Sequence, residues 1–228
     1  MGYIRDNVLS VREAIEKAAR RAGRRPEEIR LVAASKTVDV ERIRSAAEAG
    51  ITIFGENYVQ EAMRKREAIE EPVSWHFIGH LQKNKAKYAV EFFDMIHSID
   101  SVALAEELNK RAIRVERSME VLVEVNLSGE PTKSGVNEAE INPLIGEIEG
   151  LPQLLFRGLM TMPPFFDDPE QSRPYFIRLR RLAELIVSEE LHPDPLELSM
   201  GMSNDFLVAI EEGATLVRVG TAIFGPRP

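Results

Sequence analysis

The residues of this sequence that could do chemistry stand at the ends of short apolar runs. Leu31–Ser35, built from small and apolar residues, ends on Lys36. Far along the chain, Ser199-Met200-Gly201-Met202-Ser203 follows Leu196–Leu198, and Gly220-Thr221 follows Leu216–Val219, which contains Arg218. Small residues let backbone N–H groups approach an anion, and hydroxyls donate to it, so these two segments have the composition of a phosphate cradle. A lysine amine that loses its proton through desolvation or nearby cations attacks carbonyls. A buried arginine needs acceptors, since it is a permanent cation that only donates.

One ligand uses all three features. Pyridoxal 5′-phosphate (PLP) offers an aldehyde to a lysine, a phosphate to a cradle and a ring nitrogen to Arg218. An arginine would hold that nitrogen as an acceptor and weaken the electron sink, where enzymes that need the full sink place an Asp. A sugar phosphate, with Lys36 forming a Schiff base to the substrate, fits the same residues. On the residues alone both readings stay open.

The elements that must position these groups are legible from periodicity. Ile4, Val8, Val11, Ile15, Ala18 and Ala22 recur at steps of three and four, which predicts an amphipathic helix over 3–22, ended by Gly23. Eight apolar runs read as strands: Leu31–Ser35, Ile51–Phe54, Trp75–Ile78, Met95–Ile99, Glu120–Leu127, Leu154–Met160, Leu196–Leu198 and Leu216–Val219. Helical patterns separate nearly all of them. Val40–Ala49 is capped by Asp39 and stopped by Gly50, and Gly55-Glu56-Asn57 leads into a helix to about Glu70. Val102–Val115 places Ala105, Leu108, Ala112 and Val115 on one face. Asn137–Glu140 has the form of a capping box, Asp168-Pro169-Glu170-Gln171 pairs a cap with a helix-opening proline, and Asp205–Glu211 reads as a short helix.

Short apolar strands without clean alternation suit a parallel sheet buried on both faces. Eight β-then-α units in 228 residues point to an α/β fold, a single (β/α)8 TIM barrel over residues 1–228 with an extra N-terminal helix. A doubly wound open sheet is the alternative. A barrel gathers function at the C-terminal ends of its strands, where Lys36, Asn57, Ser199, Ser203, Gly220 and Thr221 fall.

Composition bounds the partners. The net charge of −8 argues against a general nucleic-acid or membrane-surface binder. The absence of cysteine removes disulfides, thiolate metal sites and a cysteine nucleophile together. The N-terminus lacks the apolar stretch of a signal peptide, and no window approaches the ~20 apolar residues of a membrane span, so a cytoplasmic protein is expected. The charged segment MRKREAIE (63–70) reads as a solvated helix face, and Lys83, Lys85 and Lys87 as a solvated helix start.

The same residues carry a family resemblance. The segments VAASKTV (32–38), FGENYVQE (54–61), WHFIGHLQKNK (75–85), KSGV (133–136), FRGLMTM (156–162), LSMGMSNDF (198–206) and VRVGTAIFG (217–225) run across almost the whole chain. In them the sequence resembles the YggS/PROSC family of pyridoxal phosphate homeostasis proteins, whose fold is that of the alanine racemase N-terminal barrel. The resemblance implies that Lys36 carries PLP as a covalent internal aldimine. It implies that Ser199, Ser203, Gly220 and Thr221 hold the phosphate, that Arg218 meets the pyridine nitrogen and that Asn57 lies beside the cofactor.

The implied role is intracellular PLP (vitamin B6) homeostasis without robust turnover, with no catalytic residue and no metal assigned. Racemisation needs an acid/base group on each face of the carbanion. Barrel racemases take the second, a tyrosine, from a C-terminal β-domain, for which a chain that stops at Pro228 leaves no room. The four tyrosines, Tyr3, Tyr58, Tyr88 and Tyr175, all fall on predicted helices. A small PLP-dependent racemase or lyase that borrows its second base from a neighbouring subunit is the alternative. PLP and PLP-requiring apo-enzymes are the expected partners, nucleic acid and membrane are not, and the chain is expected to be a monomer.

Overall fold

The computed structural model describes residues 2–130 and 132–226; Pro228, on which the length expectation rests, lies outside them. Helix α1 (Gly2–Arg21) comes first and buries Ile4, Val8, Val11, Ile15 and Ala18 of the stripe read from the sequence, with Ala19 in place of Ala22, which lies past the end of the helix. Then β1 (Arg30–Ala34) leads to α2 (Val40–Glu48), β2 (Ile53–Glu56) to α3 (Val59–Arg66), and β3 (Ser74–Phe77) to α4 (Ala86–Phe92). Next, β4 (Met95–Ile99) leads to α5 (Val102–Arg114), β5 (Met119–Glu124) to α6 (Glu138–Glu149), and β6 (Leu154–Met160) to α7 (Arg173–Ser188). Finally β7 (Glu197–Met202) leads to α8 (Phe206–Glu211), and β8 (Leu216–Val219) to α9 (Thr221–Phe224).

Consecutive strands pair in parallel, and β8 returns to β1 with Val32 opposite Arg218. The sheet therefore closes into a (β/α)8 barrel, and the open-sheet alternative falls.

The wall of the barrel divides the apolar residues into two cores, because successive side chains of a strand point to opposite faces. Phe54, Trp75, Phe77, Phe93 and Phe176 belong to the large cluster between wall and helices. Val32, Ile78, Met95, Leu122, Met160 and Leu216 form a small separate cluster inside. Polar side chains alternate with that inner set along the strands: His76 with Ile78, His97 with Met95, Glu124 with Leu122, Arg218 with Leu216. All four are buried.

Several boundaries shift from the sequence reading, each for a visible reason. Asp39 caps α2 as expected, accepting from Arg42 N at 2.9 Å. Asp168 accepts from Glu170 N at 3.0 Å, but the turn it caps is a 3-10 helix, Pro169–Ser172, and α7 starts only at Arg173. β5 stops at Glu124 because the following loop folds back, with Val136 N donating to Glu124 O at 2.8 Å. β7 runs four residues beyond Leu198, to Met202, which decides the position of Ser199. The short helix α9 and a 3-10 turn at Pro26–Glu28 have no counterpart in the sequence reading.

Candidate functional site

A cavity of about 700 Å³ opens at the C-terminal ends of the strands. Lys36, Asn57, Ser203, Arg218, Gly220 and Thr221 all line it. Four separate strand ends, β1, β2, β7 and β8, thus converge on one space.

Lys36 follows the last residues of β1 and is half-buried. Ser35 N still donates to Gly55 O at 2.9 Å, continuing the ladder, and then Thr37 turns into the left-handed region at φ 63°. Few residues without glycine's freedom adopt that conformation unless held. Val38 N closes the turn on Ser35 O at 3.0 Å. The lysine stem therefore leaves a tightly defined corner. Asn57 stands next to it, just past β2, and Gly79 makes room: a Cβ there would come within 2.8 Å of Asn57 Cα.

The opposite rim is made by the turns after β7 and β8. Gly201 has φ +88°, and a Cβ on it would meet Ala209 Cβ at 2.5 Å, so the turn into α8 requires glycine. Asp205 Oδ1 accepts from Met202 N at 2.7 Å and fixes this turn. Ser203 Oγ crosses to the second loop and accepts from Gly220 N at 3.1 Å and Ala222 N at 3.4 Å. These amides already hold an oxygen, and the hydroxyls of Ser203 and Thr221 stand beside them. The donor set is that of a small oxyanion site. Above it the wall is apolar: Met162, Pro164, Phe166 and Phe165, which is 76% exposed.

Arg218 forms the floor. It is 3% exposed, yet no carboxylate pairs with it among the described residues. Nη1 donates to Ser199 O at 2.7 Å and Ser199 Oγ at 2.5 Å, and Nη2 donates to Thr161 O at 2.8 Å. A guanidinium has five N–H groups, so donors remain for the cavity that it lines. Burial pulls its pKa down to about 10, against the upward pull of Glu124 and Asp205. Glu124, 2% exposed, is pushed up to about 7 by burial, with Arg218 pulling the other way.

Ser199 departs from expectation. The short strand read from sequence put it in the mouth loop; the longer β7 puts it inside the barrel wall, fully buried and outside the cavity lining. It is the acceptor under Arg218, and its Oγ also lies 2.8 Å from His97 Nδ1. The phosphate contact assigned to it is therefore withdrawn in favour of holding Arg218. His97 continues to His76, Nε2 to Nδ1 at 2.9 Å. Burial holds both imidazoles neutral: His76 is lowered to about 4, and His97 lies well below its ordinary value.

Sequence reasoning missed this interior chain. The usable signal was alternation: His97 sits two residues from Met95 and Glu124 two from Leu122, the same face in each strand. Lys65 was also missed. Its segment reads as a solvated face, but Lys65 is 5% exposed. The cluster Lys83, Lys85 and Lys87 is mostly exposed, and Lys85 lines a smaller neighbouring cavity of about 460 Å³ with Asn57 and His80. Among the described residues no group of three or more His, Cys, Asp or Glu is arranged to hold a metal, and no helix is long and apolar enough to cross a membrane.

Known proteins share this fold. The family model described as "Alanine racemase, N-terminal domain" matches residues 7–228. The pyridoxal phosphate homeostasis protein of Aquifex aeolicus is 47% identical over 223 residues, covering 97% of this chain and 97% of that protein. The chain belongs to the pyridoxal phosphate homeostasis family, on the alanine racemase N-terminal barrel. A solved relative, PipY of Synechococcus elongatus PCC7942 with PLP bound, superposes with a TM-score of 0.85 at 37% identity, covering 97% of this chain and 100% of that one. Alanine racemase from Clostridium difficile 630 shares the fold at a TM-score of 0.73 and 16% identity; this chain spans 58% of its length. Membership of the homeostasis family thus rests on close, full-length relatives, and the racemases share only the barrel.

Proposed function

We propose that this protein binds PLP through Lys36 and serves intracellular vitamin B6 homeostasis by holding the cofactor and releasing it to PLP-requiring apo-enzymes. The observation that carries the reading is the convergence of Lys36, Arg218, Ser203, Gly220 and Thr221 on one cavity of about 700 Å³. The PLP-bound relative of the same fold supports the choice of PLP over a sugar phosphate. When bound, PLP supplies an aldehyde and an electron-withdrawing ring.

The residues divide the work. Lys36 offers the amine that would hold the aldehyde carbon as a Schiff base. Ser203, Thr221 and the amides of the β7 and β8 turns take the phosphate, replacing the contact that Ser203 Oγ makes with Gly220 N. Arg218 would offer its remaining donors to the ring nitrogen and so keep that nitrogen an acceptor. The apolar side of the cavity, Met162, Pro164 and Phe165, would pack against the bound cofactor and limit water.

Efficient amino-acid turnover is not part of the proposal. A donor-only cation at the ring nitrogen weakens the electron sink, and among the described residues no tyrosine lines the cavity to act as a second acid/base. Incubation with amino acids in heavy water should give no α-proton exchange above that of free PLP.

The binding test is spectroscopic. Wild-type protein with PLP added should acquire Schiff-base absorbance in the visible, and Lys36→Ala should lose it while remaining folded. An unchanged spectrum in Lys36→Ala would overturn the assignment of the lysine.

A further inference from the structure

We infer that Lys65 is a positioning residue that, with Glu61, clamps the peptide on both sides of Lys36 from helix α3. The inference rests on the reading of Lys36 as the reactive amine.

Lys65 Nζ donates to Ser35 O at 2.7 Å, Glu56 Oε1 at 2.7 Å and Glu61 Oε1 at 2.6 Å. An ammonium has three donors, and all are used. Ser35 Oγ adds a bond to Glu56 Oε1 at 2.6 Å, so the carbonyl and the hydroxyl of the residue before Lys36 are both tied to this network. On the other side Thr37 N donates to Glu61 Oε1 at 2.7 Å. Lys36 is thus bracketed: Ser35 O is held by Lys65, and Thr37 N by Glu61, which Lys65 also holds.

The placement argues for positioning rather than stability. Burying a lysine with carboxylates is a poor way to stabilise a fold, since desolvation cancels most of the attraction and apolar packing does as well. A charged pair of this kind gives geometry. It lies at the one corner where a left-handed threonine follows the lysine, a conformation that its surroundings must enforce. Burial raises Glu56 against the opposing pull of Lys65 and the Ser35 hydroxyl, so the carboxylate depends on the cation for its charge.

The test uses the full chain without cofactor, and then with PLP. Amide hydrogen exchange at Thr37 is compared with that at Leu122, in the barrel interior, for wild type, Lys65→Met and Lys65→Arg. In Lys65→Met, Thr37 should exchange about tenfold faster through a local opening that denaturant does not promote, Leu122 should change only as the global unfolding free energy changes, and PLP affinity should fall about tenfold, the size of one lost charged restraint. Lys65→Arg, which keeps the charge, should recover part of both. Unchanged Thr37 exchange in folded Lys65→Met, or an acceleration at Thr37 that only follows global unfolding, overturns the clamp. If Lys65→Met does not fold, Glu61→Ala keeps the Lys65–Glu56 pair and should weaken PLP binding with Leu122 exchange unchanged; undiminished affinity there also overturns it. A wild type that fails to bind PLP defeats the cofactor reading, while the exchange comparison still decides the clamp.

Discussion

The two walls of the cavity are held by opposite means. The Lys36 wall is fixed from outside the barrel by full charges: Lys65, Glu56 and Glu61 grip the backbone around it. The Arg218 wall is fixed from inside by dipoles: two carbonyls, one hydroxyl and two neutral imidazoles. A donor count gives the second chain a direction. Arg218 donates to Ser199 Oγ, whose own O–H then finds its acceptor in His97 Nδ1. His97 then carries its proton on Nε2 and donates it in a hydrogen bond to His76 Nδ1. Every dipole then turns its negative end toward the guanidinium, which makes the buried cation tolerable without a carboxylate bonded to it. Charges hold the backbone on either side of Lys36; dipoles hold the Arg218 guanidinium.

Breaking the charged side should cost most. Lys65→Met leaves buried carboxylates without their cation and should remove roughly 3–5 kcal/mol from the unfolding free energy in denaturant titration. The titrating groups of the dipolar side come next, with opposite signs. His76 is neutral in the fold, its pKa at about 4 against 6.5 unfolded. Its contribution is therefore full above pH 6.5 and is lost as pH falls toward 4, up to roughly 3 kcal/mol at ~1.4 kcal/mol per unit. Glu124, at about 7 against 4.5 unfolded, takes up its proton more readily in the fold. Stability should fall as pH rises from 4.5 to 7, again by up to roughly 3 kcal/mol, and Glu124→Gln should remove that slope in thermal melts across the same window.

Ser199→Ala removes one acceptor under Arg218 and one partner of His97, and should cost roughly 1–3 kcal/mol. If it costs more than Lys65→Met, the contrast between the walls is wrong. The smallest effect belongs to Asp39→Ala, about 1 kcal/mol for a lost helix cap on the Lys36 side, measured by the same titration.

The barrel and the mouth were legible because their signals are local. Strand–helix alternation, the Asp39 cap and the small residues at 201–203 and 220–221 each act within a few residues. Ser199 was misplaced because Leu196–Leu198 looks complete as a strand, while its continuation through Ser-Met-Gly-Met is set by pairing with β6 and β8, which lie elsewhere in the sequence. Lys65 was misread for the same reason. Nothing in Met63–Glu70 indicates that one of its cations turns under β1 to reach Ser35. His76 and His97 carry the interior parity, but they become a chain only once β3 lies beside β4 and β7 brings Ser199 to His97 inside the barrel.

Lys36 is proposed to be the residue that takes up PLP. Borohydride reduction of the wild-type protein with PLP, followed by peptide mass mapping, tests it most directly. The expected result is the reduced cofactor's mass on the peptide carrying Lys36, and none on the corresponding peptide of Lys36→Ala. A label confined to another lysine, or no label at all, would contradict it.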